Sequence, residues 1–424
     1  MSKKLTFVFT LLMVATLALA GCAAPATPTA TVPPVTQPTT PPEAQPTTPP
    51  PAEPTQPPAK AAEVTLWHSY HTGENEEKAL TQLLTNFATD HPEIKVNVLA
   101  IPFDQIFNKW ETEVAAGGGP DLFVAPNDSL GKEVRASLIQ DLTGKLTADQ
   151  LAVYMPVAVQ ADTIDGKLWA VPESMKAVAL FYNKSTVPTP PATTDDLLNL
   201  VKGGKKIVLN QSAYHNFGFF GAFGSKVFDA NGKCVADTDG GPDAMQYLVD
   251  LKAAGGSFET DGGKADTMFS TAAVDMIVNG PWMLGTYKDK LGDNLGVAPM
   301  PKGPKGDPAA PLAAPDGFYI NPNSQNQDAA ITLATYLTSP KSEQVFVDVA
   351  GHVPAQVGMT IADPLVKGFA DASATGYPRP QTTWFDNFWG PFGDMTTKVL
   401  EGKSTPADGI KEACAAMNKA NNIQ

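Results

Sequence analysis

The amino-acid sequence predicts two α/β lobes joined by more than one crossing of the chain. Three observations carry this. From residue 63 onward, apolar residues recur alternately with the two-residue period of strands and the 3.6-residue period of helices. That pattern stops at the proline-rich loop VPTPPATT and starts again beyond it, and a second proline-rich passage, PKGPKGDPAAPLAAPDG, has the look of a return crossing. Ligands of such sheets bind beyond the carboxyl ends of the strands, so a cleft between the lobes is the expected site.

The elements follow in order. EVTLWHSY reads as a strand, and NEEKALTQLLTNFATDHP sets Leu80, Leu83, Leu84 and Phe87 on one helical face before stopping at Pro92. IKVNVLAI is a second strand; the helix after it carries Phe103, Ile106, Phe107, Trp110 and Val114 at helical spacing and ends on three glycines. DLFVAP is the third strand, so the first lobe opens with parallel β-α-β units. TIDGKLWAVP predicts a hairpin, because Asp165-Gly166 suits a type I′ turn. KAVALFYNK reads as one long strand. Beyond the loop come helix DDLLNLVK, strand KIVLN, the aromatic stretch SAYHNFGFFGAFGS, helices PDAMQYLVDLKAAG and KADTMFSTAA, and the apolar segment VDMIVNGPWML. GVAPMPKG, FYINPNS, helices around DAAITLATYL and KSEQVFVDVAG, and a helical C-terminal region complete the chain.

The chain opens MSKKLTFVFTLLMVATLALAGC, two lysines followed by an apolar run of about fifteen residues, which is the length of an export signal and too short for a membrane span. Leu19-Ala20-Gly21-Cys22 matches the bacterial lipobox, so residues 1–21 are expected to be removed and Cys22 to be acylated. From Ala23 to Ala62 the chain holds 14 of its 39 prolines and no aromatic residue, and such a stretch cannot bury a core. Residues 22–62 therefore read as a lipidated cysteine on a semi-rigid polyproline tether of at most about 120 Å.

About 360 residues remain, enough for two lobes with real cores. With 43% hydrophobic and 17% charged residues they are globular, and losing Lys3 and Lys4 with the signal takes the formal charge from −14 to −16. Nucleic-acid affinity comes from cations neutralising phosphates, so that class of partner is excluded. Cys234 and Cys414 stand 180 residues apart; export permits a bridge, but the spacing does not decide between a bridge and two free thiols.

No Gly-x-Ser-x-Gly elbow, His-Glu-x-x-His, Cys-x-x-Cys or P-loop lysine motif occurs, and the five histidines at 68, 71, 91, 215 and 352 show no metal spacing. No enzyme, metal or cofactor is expected. Among 44 acidic residues nothing singles out the carboxylate pair of a glycoside hydrolase. The distinctive feature is where the aromatics fall. Trp67, Tyr70, Trp169, Tyr214, Trp282 and Trp384 lie near strand ends or in loops, often beside Asn, Asp or Ser, whereas Trp110 sits on a regular apolar helix face and reads as core. Flat rings beside hydrogen-bonding side chains suit a sugar, with its C–H faces and rim of hydroxyls. Ordinary packing is the competing reading for each ring taken alone.

GGGPDLFVAPND, DGKLWAVPESMKAVALFYNK, FSTAAVDMIVNGPWML with GVAPMPKG, and PQTTWFDNFW together resemble the extracellular solute-binding proteins of family 1, on their maltose-binding branch. The similarity runs in order from about Val64 to the C-terminus. It implies the type II two-lobed periplasmic-binding-protein fold, with an interlobe ligand cleft and hinge crossovers. The N-terminal lobe is expected from residues 63–174 plus 316–361 and the C-terminal lobe from 177–313 plus 364–424. It further implies a monomeric, lipid-anchored, extracytoplasmic receptor that closes on a carbohydrate and hands it to the membrane permease of an ABC importer, without catalysis.

By the resemblance, Trp282 matches a sugar-stacking tryptophan, Tyr214 an aromatic in a ligand-facing turn, and Trp384, or a neighbour in TTWFDNFW, a second stacking tryptophan. Asp128 matches a carboxylate that accepts sugar hydroxyls, and Ser69, Tyr70 and His71 match polar ligand-facing residues after the first strand. Glu173 and Lys176 fall in the inter-lobe strand, and Lys176 stands where maltose binders have a glutamate. Ala125 and Ser129 replace a tryptophan and an arginine, and Ser212 replaces an acid. Exchanging acceptor-only carboxylates for a cation and a hydroxyl changes which hydroxyl patterns can be satisfied, so the expectation is a carbohydrate, with maltose, maltodextrin or a related oligosaccharide as its nearest form. The alternatives are a receptor for another small solute such as a polyamine or glycerol phosphate, a surface glycoside hydrolase, and a sensor.

Overall fold

The computed structural model describes residues 61–423. The expected export signal, the expected lipidation site Cys22 and the expected tether up to residue 60 lie outside the described residues. The strands, in chain order, are β1 Ala62–His68, β2 Ile94–Ala100, β3 Leu122–Pro126, β4 Thr163–Ile164, β5 Lys167–Leu168, β6 Val171–Lys176, β7 Ala179–Asn183, β8 Ile207–Asn210, β9 Ser257–Glu259, β10 Met276–Asn279, β11 Leu295–Ala298, β12 Leu312–Ile320, β13 Val353–Pro354 and β14 Tyr377–Pro378. They form a seven-stranded sheet ordered β13-β6-β12-β3-β1-β2, with β14 beside β12, and a five-stranded sheet ordered β11-β7-β10-β8-β9.

The two sheets repeat one plan. Three strands joined by helices run parallel, β3-β1-β2 in one and β10-β8-β9 in the other, and the strands that lead from lobe to lobe lie antiparallel beside them. The first helix, Asn75–Asp90, buries Ala79, Leu80, Leu83 and Phe87 against the first sheet. At roughly 1.5–3 kcal/mol for each large side chain, that stripe contributes more than the helix's own propensity. Trp110 is fully buried, its ring 4.1 Å from that of Phe123 on the opposite face of the sheet from Phe87. The hairpin β4–β5 turns through Asp165 (φ +52°) and Gly166 (φ +76°), as a type I′ turn requires.

One expectation needs correction and a second is narrowed. The run KAVALFYNK is not one strand: β6 ends at Lys176 in the first sheet, Ala177 and Val178 carry the chain across, and β7 belongs to the second sheet. The return crossing occupies only the end of the proline-rich passage. Residues 301–311 stay packed on the second lobe, where Ala310 donates to the Gly218 carbonyl and Gly303 lies so close to Ala222 that an added Cβ would sit 1.5 Å from its oxygen. The crossing occurs inside β12, whose first residues, Leu312 and Ala313, pair with β14, while Ala314 onward pairs with β6 and β3. A third crossing follows β13. Helix Pro340–Val345 runs directly into a π-helical turn, Phe346–Ala350, which ends on Gly351 in the left-handed region (φ +75°) and so presents His352 and β13 to β6.

Cys234 and Cys414 are joined in a disulfide, fastening the loop after Phe228 to the C-terminal helix Pro406–Ala420. The same junction is completed by the Cys234 amide, which donates to Asn418 Oδ1 at 2.8 Å.

Candidate functional site

The loops that follow β1, β3 and β10, the start of helix Ala213–Ala222 and the segment after β14 converge between the lobes. Trp282 owes its position to Asn279 and Gly280. Asn279 ends β10 buried, donates to Asp266 Oδ1 and the Tyr287 hydroxyl, and accepts from the Gly280 amide, which anchors the turn. The indole then folds over Gly280, where an added Cβ would meet its ring at 2.0 Å. Pro281 starts the single 3₁₀ turn that brings the ring back.

Trp282 is half-buried and faces Tyr214, with ring centroids 6.2 Å apart at 36°. Tyr214 is held by the helix start: Ser212 caps the helix through the His215 amide, and its hydroxyl lies 2.8 Å from His215 Nδ1. Burial pushes the His215 imidazole down to about 4, so it is neutral at pH 7 and can both donate and accept.

Arg379 closes the other side of Tyr214. Its guanidinium lies 5.4 Å from the Tyr214 ring and 5.9 Å from Trp389, and it pairs with Asp128 of the opposite lobe. The side chain is buried, and its Nε–H has no acceptor. A buried donor in that state is costly unless something supplies an oxygen. The sequence has only two arginines, and both join the lobes, since Arg135 pairs with Asp386 and also donates to the Gln381 carbonyl. The lobes meet as well where Thr286 donates to Glu74 Oε2 at 2.9 Å.

The other expected ligand-facing residues are distributed unevenly. Asp128 and Ser69 are half-buried and His71 is exposed. Tyr70 is buried, with its hydroxyl unpartnered and its ring 6.0 Å from Lys176 Nζ. Lys176 Nζ reaches Asp316 at 2.6 Å and Glu76 at 3.2 Å. Glu173 is wholly buried, and its two oxygens are taken by His352 Nδ1 and the Ser174 hydroxyl, so it faces the N-terminal lobe rather than the cleft. Trp384 also points away: its half-buried ring lies over Gly232, 4.8 Å from Phe228, packed against the core of the C-terminal lobe. The tryptophan of TTWFDNFW that meets Arg379 is Trp389, because helix Thr383–Asp386 ends and helix Trp389–Leu400 begins at that point. Trp67 is core, packed with Trp110, since it alternates inward on β1. Trp169 closes the β4–β5 hairpin by donating to the Ile164 carbonyl.

Sequence reasoning missed Arg379 and the partners of Lys176, and it left Trp389 unresolved among the neighbours of Trp384 in TTWFDNFW. A signal existed for the first: an arginine set between Pro378 and Pro380 in a chain with one other. Among the described residues, Glu173, Glu343 and His352 are the one group of three metal-ligating types drawn together. Both His352 nitrogens already face carboxylates, at 2.6 and 2.8 Å, which leaves no imidazole lone pair for an ion.

The profile of the bacterial extracellular solute-binding proteins matches residues 82–367. The maltotriose-binding protein of Pyrococcus abyssi is 27% identical over 364 residues, covering 80% of this chain and 78% of that protein. The galactooligosaccharide-binding protein of Bacillus subtilis is 22% identical, covering 84% of this chain and 88% of that one. The solved structure of the Thermus thermophilus maltotriose-binding protein with maltotriose superimposes with a TM-score of 0.76 at 30% identity, covering 84% of this chain and all of that one. The chain belongs to the bacterial extracellular solute-binding proteins.

Proposed function

We propose that this chain is a carbohydrate receptor that closes on a malto-oligosaccharide or a related oligosaccharide and delivers it to an ABC importer, without chemical turnover. The observation that carries the reading is the row Trp282, Tyr214, Arg379, Trp389 facing Asp128 across the lobes. Aromatic faces receive the C–H faces of a sugar ring, the carboxylate accepts hydroxyl protons, and the guanidinium donates to hydroxyl oxygens. Asp128 and Arg379 come from opposite lobes, so one sugar hydroxyl pair read by both is read only on closure. Ligand then shifts the open–closed equilibrium by its differential affinity. The names of the relatives support the sugar class, and the lipobox at Cys22 supports a receptor held to the membrane by lipid.

Calorimetric titration of the protein with maltose, maltotriose, a galacto-oligosaccharide, spermidine and glycerol 3-phosphate tests the reading. Heat with an oligosaccharide, accompanied by a change in tryptophan fluorescence, is expected. Heat with spermidine or glycerol 3-phosphate alone sinks the sugar class, and release of shorter sugars on prolonged incubation sinks the absence of catalysis.

A further inference from the structure

The three crossings between the lobes are spread over the sequence, at 176–179, within 312–316 and after 352. On the N-terminal side, all three are joined by one buried group of charges. Lys176, the last residue of β6, reaches Asp316 on β12 at 2.6 Å, which ties the first crossing to the second. His352, just before β13, meets Glu173 on β6 at 2.6 Å, which ties the third crossing to the first. Glu76, in the first turn of helix Asn75–Asp90 and outside every crossing, is common to both ties: its Oε1 receives Lys176 Nζ at 3.2 Å and faces His352 Nε2 at 2.8 Å. All five residues are buried.

We propose that this group is a clasp that makes the three crossings one mechanical unit, so that lobe motion pivots on its C-terminal side and Lys176 is held in a constant position under the cleft. Two features support that placement. The residues next to each tie are small or lack side-chain hydrogen bonds: Ala177 and Val178 after Lys176, Ala313 and Ala314 before Asp316, Ala355 after β13. The remaining oxygen of Asp316, the hydroxyl of Tyr70 and the whole carboxylate of Glu343 have no hydrogen-bond partner, so the side-chain connection, which adds to the β13-β6-β12 backbone ladders, runs through Glu76, Glu173, Asp316 and the two cations. An uncompensated buried charge is costly, and removing one shared partner is felt by every group it joined. Glu76, Asp316 and His352 are therefore positioning residues, acting through Lys176 and the crossings. The clasp concerns the hinge whatever solute the cleft takes.

Hydrogen exchange of the full chain, without any sugar, tests this. In Glu76→Gln, exchange in the segments 171–183, 312–320 and 352–363 is expected to rise together by about tenfold, while β1 and β3 stay as in the wild type. Glu343→Gln, which alters a neighbour outside both ties, is expected to leave all three segments unchanged. A rise confined to residues 74–78, or a rise spread over the whole N-terminal lobe, overturns the clasp. Should Glu76→Gln not fold, His352→Asn is read in the same way, and a change limited to segment 352–363 overturns the proposal. Loss of maltotriose binding in the wild type bears on the proposed function alone and leaves this readout intact.

Discussion

The hinge and the cleft share strands, yet they treat their cations in opposite ways. In the hinge, Glu76, Glu173, Lys176 and His352 satisfy one another inside the protein. In the cleft, Arg379 is buried with Nε unpartnered, and Trp282 and Tyr214 remain half-buried. A set of charges completed by the protein itself contributes to holding the fold, whereas an unmatched donor beside aromatic faces is what the proposed ligand would satisfy. Lys176 stands at the border, with two of its three donors spent on the hinge.

Breaking the hinge should cost stability first. Lys176→Met strips the cation from Glu76 and Asp316, and an expected loss of about 3–5 kcal/mol is read from denaturant unfolding. A loss under about 1 kcal/mol would mean that water reaches these carboxylates and that the contrast with the cleft is false.

The hinge should also set the pH dependence of folding. Its carboxylates raise His352 to about 10, above its ordinary value, despite burial. Its contribution is therefore complete below about pH 6.5 and is lost as pH rises through 10. Burial raises Asp316 to about 6, which likewise favours the folded state at lower pH. Lys176 and His352 overcome burial to lower Glu76 to about 2, so its contribution is present above about pH 4.5 and is lost as pH falls toward 2. Thermal unfolding should be highest near pH 5 and decline on the order of a few kcal/mol toward pH 10. His352→Gln should flatten the alkaline limb and move the acid limb to higher pH, because Glu76 loses one of the two cations that lower it; equal alkaline slopes in both proteins would remove His352 from the account.

Trp282→Ala tests the cleft. Loss of an aromatic platform should weaken oligosaccharide binding by about 1–3 kcal/mol with the unfolding midpoint nearly unchanged. The reverse pattern would assign Trp282 to the core. Arg135→Gln should give the smallest effect. Its pair with Asp386 is more than a third exposed on both sides, and such pairs contribute about 0–1 kcal/mol and are screened by salt. A several-fold loss of affinity that persists at 1 M salt would show that the rim contributes more than exposed pairs do.

Much of the architecture was legible because it is local. The periods of the first three strands and two helices, the Asp165-Gly166 turn and the Gly280-Pro281-Trp282 turn are written within a few residues each. KAVALFYNK was misread because two strands buried in different sheets leave the same apolar run as a single one. Trp384 and Trp389 could not be ranked, since the ring that reaches the cleft depends on where one short helix ends and the next begins.

The sequence by itself determined the alternation of strands and helices that builds two α/β lobes, with aromatics at the turns between them. Only the tertiary structure decided which groups meet. Arg379 and Asp128 are 251 positions apart, His352 and Glu76 are 276 apart, and Cys234 and Cys414 are 180 apart. Strand and helix periods record how each segment meets the core, but they carry nothing about which distant segment lies opposite. Hydrogen bonds and ion pairs act over a few ångströms, so their partners exist only once the chain has brought them together.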